Sequence, residues 1–313
     1  MKRSKPSSGD SSGDPSGGNL AWQPGEIKPG RTESQSPLAP GLYLTATPIG
    51  HARDISLRAL DVLRGCDAIA AEDTRVTAKL LAIHGVSKPL TAYNDHNAVR
   101  ERPKLLGRLR QGARIALVSD AGTPLVADPG YKLVREAIAD GISVHAVPGA
   151  SAALAALSLS GLPTDRFLFA GFLPPKSAAR RSTLAELKSL SATLVFFESP
   201  HRLSECLADM VGILGGRAVA VARELTKLHE ECRRGDLAGL AAHYAAADPP
   251  KGEITIVVGP PVEYAPDTTL ADSLLDKALA FMPVRAAAEL VAEATGQSRH
   301  ALYERALGRK DRP

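Results

Sequence analysis

Three segments of this chain concentrate residue types suited to holding a small charged ligand. They read Thr47-Pro-Ile-Gly50, Ser119-Asp-Ala-Gly-Thr-Pro-Leu-Val-Ala-Asp-Pro-Gly130 and Pro148-Gly-Ala-Ser151. Each combines glycine, which lets a ligand approach the backbone, with proline, which fixes the path. A single segment of this kind reads as a simple turn between strand and helix. Three of them after strand-like runs, one carrying two carboxylates, read as a binding edge. Asp120 suits a neutral or cationic group and the flanking amides suit a carboxylate, so an amino-acid-bearing ligand fits better than a polyphosphate. GxGxxG, GxxxxGKS/T and HExxH are all missing, which removes the dinucleotide fingerprint, the phosphate loop and the zinc-protease helix.

Elements that position these segments follow from apolar periodicity. Strand-like runs at Leu42–Thr45, Ala68–Ala71, Leu90–Tyr93, Ile115–Val118 and Val144–Val147 alternate with helical patterns. The first helix carries Leu57, Leu60 and Leu63 on one face, with Asp54 or Ser56 as its cap. Further helices are expected at Thr74–Ile83, Arg102–Leu109, Leu133–Ala139 and Ala150–Leu159. Such alternation predicts a mostly parallel sheet covered on both faces, with ligands beyond the carboxyl ends of its strands.

Ser160–Asp165 is a turn-rich break. Beyond it, strands are expected at Phe167–Phe169, Leu194–Phe197, Val219–Ala222 and Ile254–Val258, and helices at Ser182–Leu190, Arg202–Leu214 and Leu237–Ala246. Glu230–Gly235 reads as a short hairpin, so the second sheet is expected to be mixed. Thr269–Phe281, Pro283–Ala294 and Ser298–Leu307 look like a small helical module. The fold class is therefore α/β, with domains at 41–160 and 166–260 and the helical module at 268–313. Residues 1–40 hold 8 Ser, 6 Gly and 6 Pro, too polar to offset their ordering entropy, and are expected to form a disordered tail containing the single Trp22.

Nine ordered blocks carry a family resemblance: Thr47–Gly50, Ala71-Glu-Asp-Thr-Arg75, Asp95-His-Asn97, Ser119–Pro124, Asp128-Pro-Gly130, Gly171-Phe-Leu-Pro174, Glu198-Ser-Pro-His-Arg202, Ala222-Arg-Glu-Leu-Thr-Lys227 and Lys251-Gly-Glu253. Between about Gly41 and Gly259 the chain resembles the small-subunit ribosomal RNA methyltransferases of the tetrapyrrole methylase superfamily. The resemblance implies two methylase-type α/β domains, a homodimer, and S-adenosylmethionine held in the cleft between the domains. It also implies methylation of the ribose 2′-oxygen of cytidine 1402 in 16S rRNA, with the rRNA or the 30S subunit as partner. The C-terminal helices resemble that family's helix-turn-helix-like module. Corrin methylases carry a Gly-Asp-Pro turn where this chain has Asp120-Ala-Gly-Thr-Pro124, which argues against the runner-up, methylation of a small tetrapyrrole.

By position, the resemblance implies cofactor contacts from Pro48, Ser119, Asp120, Ala121, Gly122, Thr123, Pro124, Ser151 and Ala152, with Phe197 and Leu225 flanking the adenine side. A ribose hydroxyl needs a hydrogen-bonding base. Asp73, Glu72 and His96 are the leading choices, with Asp95, Glu198, His201 and Glu224 behind them. Glu72-Asp73 should end its strand beside Thr47–Gly50. Asp73 equally suits capping the next helix, His96 holding its loop, and Glu198 pairing with Arg202 or Arg223. RNA contacts are expected from Arg53, Arg75, Arg202, Arg223 and Lys227, extended by Lys176, Arg180 and Arg181. A solvated helix face is the alternative for the last three. The helical module could touch RNA or support packing and dimerisation.

Composition sets the outer limits. The formal charge is +4 over 313 residues, with 44% hydrophobic and 23% charged residues, ordinary for a globular chain. Cys66, Cys206 and Cys232 are too scattered for a disulfide framework or zinc site. No metal site is expected, no apolar run is long enough to span a membrane, and a cytoplasmic location is expected.

Overall fold

The computed structural model describes residues 37–127, 130–261 and 268–310. Most of the expected tail, Trp22 included, lies outside the described residues, as do Asp128-Pro129 and the last three residues.

The first sheet is built from β1 (Gly41–Thr45), β2 (Ala68–Ala71), β3 (Leu90–Ala92), β4 (Arg114–Val118) and β5 (Val144–Val147), all parallel, in the order β3-β2-β4-β1-β5. Alternate side chains feed two cores. Tyr43, Ile69, Ala71, Ala116 and Val118 pack under α1 (Leu57–Gly65) and α2 (Thr74–Ile83). Leu42, Ala70, Ile115 and Leu117 pack under α3 (Ala98–Arg110) and α4 (Tyr131–Ala139). Ser56 caps α1, its hydroxyl accepting from Ala59 N–H at 3.1 Å.

Strand order corrects one expectation. Because β4 inserts between β1 and β2, Glu72 at the end of β2 is neighbour to the Asp120 loop and not to Thr47–Gly50. The chain leaves β2 towards β3 and leaves β4 in the opposite direction, towards β5. The crevice between β2 and β4 is thus a topological switch point, where open α/β sheets take ligands.

The second sheet contains β6 (Phe167–Phe172), β7 (Thr193–Glu198), β8 (Ala218–Arg223), β9 (Glu231–Asp236) and β10 (Ile254–Val258), ordered β6-β7-β10-β8-β9. Only β6 and β7 run parallel, so the sheet is mixed. Glu231–Asp236 completes the expected hairpin with β8. One face packs on α6 (Ser177–Leu187), α7 (Leu203–Leu214) and α8 (Leu237–Ala245) through Leu184, Phe196, Leu207, Val221 and Ile256. The other face is covered by α5 (Ala152–Ser160), which follows β5 in sequence yet packs Ala153, Ala156 and Leu157 on Val195, Ala220, Ala222 and Val257. An Ala/Leu helix with almost no polar face suits this position between two halves of the protein.

Helix α6 starts five residues before the expected Ser182. Its first core-facing residue is Arg180, only 1% exposed, paired at 2.7 Å with Asp209 of α7. A pattern of apolar residues cannot reveal a turn whose buried position is an arginine. Arg180 is therefore no part of a solvent-facing basic track, and Arg181 also leans on Asp209 at 3.4 Å.

The C-terminal helices α9 (Thr268–Leu279), α10 (Val284–Thr295) and α11 (Arg299–Lys310) enclose their own core of Ala271, Leu275, Ala287, Ala288, Val291, Leu302 and Ala306. Gly296 ends α10 in the left-handed region (φ 68°), a backbone that glycine adopts at no steric cost. Among the described residues no helix is long and apolar enough to cross a membrane.

Candidate active site

The three Gly/Pro loops are stitched together before any ligand arrives. Thr47 and Gly122 exchange two backbone hydrogen bonds, at 2.9 and 3.0 Å. The Thr47 hydroxyl donates to the Ser119 carbonyl (3.2 Å) and the Thr123 hydroxyl to the Ala150 carbonyl (3.0 Å). Ser119 is itself buried, so its place is in this scaffold. Leu125 and Ala127 adopt positive φ (74° and 67°), a strain typical of ligand-shaping loops.

Beyond these loops opens a cavity of about 400 Å³ between the two sheets. Asp120, Ala121, Gly122, Thr123, Ser151, Ala152 and Phe197, all expected as cofactor contacts, line it. Pro48, Pro124 and Leu225 do not form its lining. Leu225 is buried behind it, packed with Ile49. Ile49, Phe172, Ser199, Pro200 and Gly252–Thr255, to which sequence reasoning gave no role in the site, also form the wall, together with Glu198, expected as a candidate base or an ion-pair partner. Most of them fall inside the quoted Thr47–Gly50, Gly171–Pro174, Glu198–Arg202 and Lys251–Glu253 blocks, so the signal was present without a role attached.

The two ends of the cavity differ in chemistry. On the side of the Gly/Pro loops, Asp120 and the first turn of α5 both line the cavity; Ser151 there accepts from Leu154 N–H (3.5 Å) and the helix dipole favours an anion. At the other end Phe172 and Phe197 meet edge-on, with centroids 5.6 Å apart, near Ile254. Glu198 lies wholly buried under this wall, bonded to Ser199 N–H (2.7 Å) and paired with Arg202 (3.2 Å). Arg202 also donates to the carbonyls of Leu173 (2.6 Å) and Pro174 (3.3 Å). The expected Glu198–Arg202 pair thus exists, and it shapes the wall.

Glu72 stands at the rim. It lines the cavity and also a second one, about 420 Å³, formed with Asp73, Thr74, Arg75, Ala92, Asn94, Asp95 and His96. Burial pushes the Glu72 carboxyl up, and neighbouring Asp120, Asp95 and Asp73 push the same way, against one bond from Asp120 N–H. Asp73 is the helix cap: it accepts from Arg75 N–H (2.8 Å) and grips the Arg75 guanidinium at 2.6 Å, which holds its carboxyl at about 2. His96 is exposed in the second cavity.

Of the expected RNA contacts, Arg53 and Arg75 are exposed, Arg75 while paired with Asp73. The other three have internal partners: Arg202 as above, Arg223 with Glu231 (3.0 Å), and Lys227 with Glu224 (2.8 Å) and Glu253 (3.1 Å).

Lys227 belongs to a loop that locks the two halves together. Glu224 and Thr226 take positive φ (52° and 62°), and the Thr226 hydroxyl accepts from His51 N–H at 3.0 Å. A Cβ on Gly50 would lie 2.5 Å from Lys227 Cγ, 2.7 Å from Thr226 Oγ1 and 2.8 Å from the Leu225 carbonyl oxygen. The lysine stem can move, but the carbonyl cannot without unseating Ile49. Gly50→Ala is therefore expected to cost about 1–3 kcal/mol and to weaken ligand binding in the cavity. Gly107→Ala in α3, where a Cβ meets nothing within 4 Å, should instead stabilise by up to ~1 kcal/mol. Thermal unfolding of both variants checks the pair, and an unchanged melting temperature for Gly50→Ala would show that the contact yields freely.

Comparison with known proteins matches this architecture. Residues 41–241 match the family model "Tetrapyrrole (Corrin/Porphyrin) Methylases", and residues 265–310 match "RsmI C-terminal HTH domain". A Mesorhizobium japonicum protein named Ribosomal RNA small subunit methyltransferase I is 54% identical, the match covering 90% of this chain and 97% of that protein. A protein of the same name from Erythrobacter litoralis is 56% identical, covering 88% and 97%. Among solved structures, diphthine synthase (TM-score 0.55, 16% identity, 70% of this chain and 89% of that one) and Thermus thermophilus uroporphyrin-III-C-methyltransferase (0.52, 23%, 70% and 93%) share the fold. With paired α/β sheets, a stitched cavity between them and identities above one half to such relatives, the chain belongs to the ribosomal RNA small subunit methyltransferase I family of the tetrapyrrole methylase superfamily.

Proposed function

We propose that this protein transfers a methyl group from S-adenosylmethionine to the ribose 2′-oxygen of a cytidine in small-subunit rRNA, cytidine 1402 of the decoding centre. The observation that carries the reading is one cavity with a carboxylate-and-amide end and an aromatic end, bordered by a half-buried glutamate that also faces a second cavity.

The residues present fit the donor. Asp120 would take its ammonium and the first turn of α5 its carboxylate, while Phe172, Phe197, Ile49 and Ile254 would enclose its apolar parts. When bound, the donor supplies an electrophilic methyl on a sulfonium. The protein's own share is alignment: the stitched loops hold one reactant while the second cavity holds the other. Orientation of this kind can supply about 7–11 kcal/mol of barrier reduction in favourable cases. Glu72 would accept the hydroxyl proton. Exposed Arg75, at the rim of the second cavity, would contact backbone phosphate and make binding salt-dependent.

A homodimer acting in the cytoplasm is carried over from the family. Methylation of a small tetrapyrrole shares the fold, but identities of 16–23% to the fold neighbours against 54–56% to the rRNA enzymes favour RNA. Incubation with methyl-labelled S-adenosylmethionine and 30S subunits, naked 16S rRNA or corrin precursors tests this. Label on one ribose 2′-oxygen is the expected result; label on the corrin, or none anywhere, overturns it.

A further inference from the structure

We propose that Asp120 couples the donor seat to the base: an ammonium placed on Asp120 drives a proton off Glu72, so the base is readied before the acceptor arrives. This rests on the methyltransferase reading above and adds an order of events to it.

The coupling starts in the backbone. β2 and β4 run side by side as far as Ala71 and Val118. Beyond that last pair the two chains stay joined through Asp120. Its Oδ1 accepts from Asp73 N–H at 2.8 Å, and its own N–H donates to Glu72 Oε2 at 3.4 Å. The base and the donor seat thus face each other across the switch point, and both line the donor cavity.

Charge around Glu72 is one-sided. The β4 end contributes Asp120, the start of α2 contributes Asp73 with Arg75, and the loop after β3 contributes Asp95 and His96. From the second sheet come Glu198 with Arg202 and Glu253 with Lys227. Asp73, Glu198 and Glu253 are each balanced by their partner. Among the described residues Asp120 and Glu72 have no such cation. Burial and the neighbouring carboxylates already favour the protonated form of Glu72.

A bound donor changes that balance. Its ammonium offsets the Asp120 charge, and ionised Glu72 is then favoured. Filling the cavity also strips water from Glu72, which acts in the opposite sense. Glu72 lines the second cavity as well, and that side keeps its water until the acceptor binds, so the charge effect prevails. The step is a simple ionisation: the Glu72 carboxyl gives its proton to solvent and is left able to accept the ribose proton later.

The test is calorimetry on the full-length protein, in buffers of differing ionisation enthalpy, across the acid range through which Glu72 titrates. The ligands are S-adenosylmethionine and S-adenosylhomocysteine, which carry the ammonium, and 5′-methylthioadenosine, which lacks the amino-acid arm. Each ammonium-bearing ligand should release about a quarter of a proton at the middle of the window, with affinity rising about threefold as pH climbs through it. 5′-Methylthioadenosine should release none. Glu72→Gln should abolish the release and hold donor affinity within about threefold of wild type at every pH. Asp120→Asn keeps an acceptor for Asp73 N–H; it should weaken the two ammonium-bearing ligands and spare 5′-methylthioadenosine. Donor binding without proton release, release that persists in Glu72→Gln, equal release with 5′-methylthioadenosine, or equal weakening of all three ligands in Asp120→Asn each overturns the coupling. Wild type that binds none of the three instead sinks the methyltransferase reading, and this inference with it.

Discussion

Glu72→Gln is expected to slow methyl transfer by about 10²–10⁴-fold while donor binding stays close to wild type. Three side chains compete for the role of base, and their surroundings separate them. Asp73 caps α2 and is gripped by Arg75, which leaves a carboxylate held at about 2 and too weak a base to help. His96 is exposed and lines only the second cavity. Glu72 lies between both cavities, with burial and three nearby carboxylates raising its pKa. A raised pKa brings a base closer to operating pH.

The pH dependence follows with its sign. Glu72 works as the carboxylate, so the wild-type rate should fall as pH drops through its raised pKa, and this acid limb should vanish in Glu72→Gln. Stability runs the other way. The folded protein binds the Glu72 proton more tightly than the unfolded chain does, so ionisation lowers native stability as pH rises through that window. Gln removes this cost, and the variant should unfold no earlier than wild type at neutral pH. A full-rate Glu72→Gln, or a persistent acid limb in it, would move the role to another group.

How far the sequence foretold all this depends on the kind of contact. Ala68–Ala71 and Thr74–Ile83 match their observed elements end to end, because each depends on local periodicity and a cap. The binding edge was legible for the same reason, since Gly/Pro loops follow strands directly. Strand order was not legible: nothing local says that β4 divides β1 from β2, so Glu72 was assigned the wrong neighbour. Apart from Phe197 and Glu198, wall residues from the second sheet were missed because their role exists only once α5 brings that sheet over the loops. Gly252 illustrates this. Its φ is 98°, and a Cβ there would overlap the Glu224 carboxylate at 2.2 Å, a demand set by a residue 28 positions away. Basic residues are a different case. Charge is visible in sequence but partners mostly are not: Glu198 was foreseen for Arg202, whereas the carboxylate partners of Arg180, Arg223 and Lys227 come from the fold.

Asp209→Ala is expected to destabilise the protein by about 3–5 kcal/mol, because it leaves a buried guanidinium without its counter-ion. Asp209 accepts from Arg180 Nε at 2.7 Å and from the Ser177 hydroxyl at 2.9 Å. The nearest alternative acid is Glu205 at 3.7 Å, whose side chain is 76% exposed and screened by water. Burial alone would raise the Asp209 carboxyl, but bonds from Arg180, Ser177 and Arg181 hold it below the usual range. Its contribution is therefore full above the unfolded value, about 3.9, and is lost as pH falls through the lower folded value. Replacing both partners, as Arg180→Met with Asp209→Leu, should recover most of the stability, since a buried pair often exchanges for apolar residues at little cost. Function should not follow. Arg180 also donates to the Pro175 carbonyl (3.3 Å), next to the Leu173 and Pro174 carbonyls held by Arg202. Two guanidinium groups thus pin the turn that follows Phe172, a wall residue of the donor cavity. The double variant should melt near the wild-type temperature yet bind S-adenosylmethionine more weakly. Full recovery of both in unfolding and calorimetry would show that the pair serves the core alone.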